Sequence, residues 1–157
     1  MPGTVVLLGT AVAEDASLQE MVMEFGWSLE KAAGMDQLRD MAARRSPVAI
    51  LFDPGSLGMA CEDALRSVLK IAPHALPIPC YRFSDIVNWP ELADAGAFHA
   101  LALPLNPSEV RQSLGFVWSA RISRAANVLS ISAAERRNTM DKCPSADTDF
   151  RAAGSVA

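Results

Sequence analysis

Apolar positions along this chain form five short runs, separated by segments in which they recur at helical spacing. Residues 5–8 are a β-rich run fit for a buried strand. Leu18, Met21, Val22 and Phe25 follow at helical intervals, with Asp15 or Ser17 placed as the N-cap and Gly26 as the stop. Residues 27–33 read as a weak edge strand. Leu38, Met41 and Ala42 mark a second helix that must end before Ser46-Pro47, because the residue before proline is driven out of the helical region. Residues 48–52 (VAILF) are an unbroken apolar run, the pattern of a parallel strand covered on both faces.

The alternation continues. Leu65, Val68, Leu69 and Ala72 mark a third helix closed by Pro73. Residues 76–81 (LPIPCY) are a fourth strand in which Pro79 lacks a ladder donor, so a bulge or distortion is expected there. Asn88, Trp89, Pro90 and Glu91 open a short fourth helix that Gly96 ends. Residues 100–103 are a fifth strand. Asn106, Pro107 and Glu109 then carry the start signals of a last helix, with Val110, Leu114, Val117 and Trp118 as its apolar stripe. Five strand–helix alternations imply an open, doubly wound parallel sheet with helices on both faces. Ligand chemistry on such sheets sits at the carboxyl ends of the strands, where Asp53 falls. From residue 125 onward large apolar side chains thin out, and the segment 125–157 reads as a helix extension followed by a flexible tail.

Composition narrows the function classes. The chain has 157 residues and a net charge of -4, one domain's worth with no basic cluster, which disfavours a nucleic-acid partner. Cys61, Cys80 and Cys143 form no CxxC pair and no even framework, as in a reducing, cytoplasmic compartment. With only His74 and His99, no His-rich metal site or Ser-His-Asp triad can be written, and no enzymatic activity is expected. The N-terminus lacks the basic start of a leader, and no apolar stretch approaches the roughly 20 residues that cross a bilayer.

Three segments together resemble the receiver domain of bacterial response regulators. GAFHALALPLNPSEV (96–110) is similar, without a gap, to that family's GADDYLTKPFDPEEL. ILFDPGSLGM (50–59) is similar to the strand end that bears the phospho-accepting aspartate, here Asp53. EDASL (14–18) is similar to the acidic pair, which puts Glu14 and Asp15 with Asp53 in a metal-binding set for Mg²⁺ after a longer first strand or loop. The resemblance spans about residues 3–124 and implies a flavodoxin-like strand order 2-1-3-4-5. It also implies a cis Leu103-Pro104 bond, a signalling partner such as a histidine kinase, and a homodimer.

The chain departs from the family at the positions that read the phosphoryl group. Leu103 stands for the lysine, Arg82 for the hydroxyl residue after the fourth strand, and Ala100 for the switching aromatic. Leucine donates nothing to a phosphoryl oxygen, and alanine cannot swing. Arg82 suits a solvated surface position; the alternative is that its guanidinium leans into the acid cluster in place of the cation. The residues thus imply a receiver-like domain acting through protein contacts without the full phosphorylation switch, with Arg111 and Trp118 of the last helix at the partner face. One rival is a phosphorylatable single-domain regulator using Asp53. Another is a flavodoxin-like protein that binds flavin or another small ligand. On residues alone, Asp53 also suits the polar lip of a sheet, and Glu14-Asp15 suit a helix N-terminus.

Overall fold

The computed structural model of the chain describes residues 2–9, 16–82 and 88–140. Its elements in order are β1 (Gly3–Leu8), α1 (Ala16–Glu24), β2 (Trp27–Ala32), α2 (Met35–Arg44), β3 (Pro47–Phe52), α3 (Cys61–Ile71), β4 (Leu76–Arg82), α4 (Trp89–Asp94), β5 (Leu101–Leu103) and α5 (Pro107–Met140). All strand pairs are parallel and the order is β2-β1-β3-β4-β5, as the resemblance implies.

Two hydrophobic layers explain the continuous apolar runs. Successive strand residues point to opposite faces. Val5, Leu7, Ala49 and Leu51 therefore pack with Leu18, Met21 and Val22 of α1 and Val110, Leu114 and Val117 of α5. Val6, Leu8, Ile50 and Phe52 pack on the other face with Leu38 of α2, Leu65 and Val68 of α3 and Leu92 of α4. With both faces covered, neither parity of β1 or β3 meets water. Each such aliphatic side chain contributes about 1.5–3 kcal/mol by leaving water.

Local signals place the later helices. Asn88 caps α4 by accepting a hydrogen bond from the Glu91 backbone N–H at 3.4 Å. Asn106 Oδ1 accepts from the Ser108 N–H at 2.9 Å at the start of α5. Gly96 takes φ +98°, and a Cβ there would lie 2.7 Å from Leu69 Cδ1, so both backbone and space exclude a side chain. The Leu103-Pro104 peptide is cis, as expected.

Two expectations need correction. No bulge occurs at Pro79: β3 and β4 stay in register from Ala49↔Leu76 to Phe52↔Pro79, and the irregular step lies between Thr4 and Val5. The Pro77 carbonyl accepts from the Phe98 N–H, so this parity of β4 faces the β5 side. Pro77 and Pro79 share it, and their missing donors precede the β5 pairing that begins at Cys80↔Leu101. Nor does Trp118 belong to the buried stripe of α5: it is 47% exposed. The buried arc runs through Val110, Ser113, Leu114 and Val117, so it is displaced toward Ser113 and leaves Trp118 at its rim.

The chain divides into a compact unit, Met1–Ala120, and a second unit, Arg121–Ala157. In the second, the helix continues to Met140, with Ile122, Val128 and Leu129 exposed. The tail expected beyond it, 141–157, lies outside the described residues. No helix among the described residues is long and apolar enough to cross a membrane.

Candidate functional site

Asp53 follows the last residue of β3 and is 4% exposed. Its depth follows from the strand: all six residues of β3 are buried, so the chain surfaces only after them. The next turn holds the carboxylate, with the Gly55 N–H donating to Asp53 Oδ1 at 3.0 Å. Ser56 Oγ donates to the Asp53 carbonyl at 2.9 Å and ties the same turn to the strand end.

The end of β1 closes against this turn. Gly9 adopts φ +92°, its N–H donates to the Ala32 carbonyl at 2.8 Å, and a Cβ at Gly9 would sit 2.6 Å from Ser56 Oγ. Only glycine meets both conditions without strain. The sequence singled out Asp53 but not the Gly9–Ser56 approach, since residues 47 positions apart carry no shared pattern along the chain.

Arg82, the last residue of β4, brings Nη2 to 3.9 Å from Asp53 Oδ2, while its side chain remains 65% exposed. That is an ion pair without a hydrogen bond, and exposure keeps it weak. Leu103 is partly buried and packs against the core layer of α1 and α5. Ala100 precedes β5 and is half-buried.

Glu14 and Asp15 lie outside the described residues. Asp53 is thus the one described member of the expected metal set. Among the described residues no three His, Cys, Asp or Glu side chains converge on a metal position. Neither described thiol is activated. Burial first and the Asp53 charge second push Cys80 up to about 12, and burial and Glu62 raise Cys61.

The last helix divides its exposed side chains between two flanks. Arg111 makes a bidentate pair with Glu24 of α1, at 3.1 and 3.2 Å, and the Glu24 hydrogen bond raises its pKa. Trp118 is one heptad from Arg111 and shares that flank. The flank toward β5 instead presents Phe116, 48% exposed, whose ring meets His99 edge-on at 6.1 Å. Sequence reasoning missed Phe116 because the flank of α5 facing β5 becomes known only once the helix is packed.

No family model matches the chain, and no curated protein matches it in sequence. Solved structures do match. A CheY-like receiver domain protein from Methanospirillum hungatei aligns with TM-score 0.65 at 17% identity, over 79% of this chain and 99% of that one. The signal receiver domain of a putative Luxo repressor protein from Vibrio parahaemolyticus aligns with TM-score 0.66 at 16% identity, over 80% and 98%. A putative pilus assembly protein from Burkholderia thailandensis aligns with TM-score 0.54 at 18% identity, over 74% and 98%. Strand order, the acid at the end of β3 and these alignments agree: the chain has the fold of a response regulator receiver domain.

Proposed function

We propose that this chain is a signal-transduction receiver-like domain that acts through protein contacts, without enzymatic activity of its own and without the full phosphorylation switch. One observation carries this reading. The acid at the end of β3 is kept and held, while the positions that would read its charge are Arg82, Leu103 and Ala100.

The physical argument is one of differential contacts. A charge placed on Asp53 shifts an equilibrium only if another group interacts with it differently in two states. Leu103 has no donor for a phosphoryl oxygen, and Ala100 has no ring to turn inward. Arg82 can follow the charge, but an exposed guanidinium 3.9 Å away transmits little to packing. Output then rests on a constitutive surface. The flank that joins β5 and α5, with Phe116 and His99, is the face for a signalling partner, a kinase or a second copy of this chain.

Acetyl phosphate with Mg²⁺ tests the reading. Expected is no change in elution volume or in hydrogen exchange of α5, with Asp53→Asn behaving like the parent chain. Dimerisation driven by the phosphodonor and abolished by Asp53→Asn would overturn it in favour of a phosphorylatable regulator.

A further inference from the structure

Between the N-terminal ends of α3 and α4, beside the carboxyl ends of β3 and β4, lies a pocket of about 340 Å³. Its hydrocarbon walls come from Pro54, Ala60, Pro79, Leu92 and the Tyr81 ring. Trp89 supports that ring in a T-shaped contact, centroids 5.5 Å apart. The charged groups lining the pocket are all carboxylates: Asp53, Glu62 and Glu91.

Asp53 gives the pocket its chemistry. It is more than nine-tenths buried, and among the described residues its carboxylate accepts one hydrogen bond, from Gly55 to Oδ1. Oδ2 has Arg82 Nη2 at 3.9 Å, outside hydrogen-bond distance. Asp53 Oδ2 thus has an ion pair but no hydrogen-bond donor among the described residues, and the carboxylate can accept more. At the rim, Glu91 hydrogen-bonds Glu62, which holds the Glu91 carboxyl above its usual range. Arg66 lies 3.9 Å from Glu62 and from Asp63, and it lines an adjoining cavity with Glu62 and Glu91.

We propose that this pocket binds a small organic cation, an alkyl or aralkyl ammonium or guanidinium, with its charged head on Asp53 and its hydrocarbon body against Tyr81, Pro79 and Leu92. Apolar walls and a buried anion together select this class: anions are repelled, and neutral polar molecules bring no charge to the carboxylate. The volume suits a ligand at the small end of the usual range for such sites. The ring face of Tyr81 adds attraction for a cation beside it. Arg82, 3.9 Å from Asp53 Oδ2, competes with the ligand for the carboxylate. This inference goes beyond the signalling reading and stands whether or not Asp53 accepts a phosphoryl group.

The test uses the full chain and two-dimensional NMR, reading the amides of Cys61, Tyr81, Asn88 and Glu91. The probes are benzylammonium and butylguanidinium, with benzyl alcohol as the neutral control. Expected are saturable shifts with both cations and binding of the alcohol roughly tenfold weaker or worse. Asp53→Asn should weaken the cations about tenfold or more, while Arg82→Ala should tighten them by removing the competitor. Glu91→Gln, on an exposed residue, should weaken them a few-fold, which keeps the proposal testable if Asp53→Asn fails to fold. Equal affinity for benzyl alcohol, no saturable shift at millimolar probe, or cation affinity unchanged by Glu91→Gln and Arg82→Ala overturns it.

Discussion

The carboxyl ends of β3 and β5 lie two strands apart in one sheet and are built in opposite ways. β3 buries all six residues and ends on a carboxylate held by its own turn. β5 has three residues, buries only Leu101, and ends on Leu103, which packs as hydrocarbon. In a receiver fold the first end would take a charge and the second would report it. On the function proposed above, the end of β3 keeps its acid while the end of β5 no longer reports on it, because the two ends draw on different interactions.

The largest test of that contrast is stability. Phe52→Ala, in the fully buried end of β3, should cost about 3–5 kcal/mol in urea unfolding. Leu103→Ala, half-buried on the three-residue strand, should cost clearly less. Equal costs would mean that β5 is as much a part of the core as β3, and the contrast would fail.

A smaller effect is expected where β1 closes on the turn after Asp53. Gly9→Ala must hold a non-glycine residue at φ +92° and meet Ser56 Oγ, and should lose about 1–3 kcal/mol. Ser56→Ala in the same background should recover part of that loss, since it removes the clashing oxygen but not the strained dihedral. No recovery would show that the dihedral alone sets the cost.

The pH dependence at the pocket rim is smaller still, because Glu91 is exposed. Its carboxyl is raised in the folded state by the hydrogen bond to Glu62, so the folded chain binds that proton more tightly than the unfolded one. The contribution is fully present below the ordinary Glu value of about 4.3 and is lost as pH rises through the higher folded value. Urea midpoints measured upward from that pH should show the decline in the parent chain and not in Glu91→Gln. A parallel decline in both would place its source elsewhere.

The smallest effect expected is at the receiving end itself. Asp53→Asn keeps shape and an oxygen for the Gly55 N–H, so partner binding measured by pull-down or elution should stay near the parent's. Phe116→Ala, on the flank facing β5, should reduce it more than Trp118→Ala, on the flank of Arg111 and α1. The reverse order would move the partner face to the α1 side.

Short-range pattern alone yielded the ten elements and the two-sided burial of the sheet. Caps at Asn88 and Asn106, stops at Gly26 and Gly96, and apolar runs of period two or three to four residues are read within a few positions of the chain. Asp53 was legible for the same reason: an acid directly after an unbroken apolar run falls at the carboxyl end of that strand. What depends on residues far apart in sequence was not. The sequence announced a break at Pro79, but which side of β4 lacks donors is set by where β5 begins to pair. It put Trp118 in the stripe, but the position of the buried arc on α5 is set by how the helix settles on the sheet, through contacts such as Arg111 with Glu24. The pocket beside Asp53 belongs wholly to tertiary structure, because its walls come from β4, the turn after β3 and the starts of two helices, which only the folded sheet brings together.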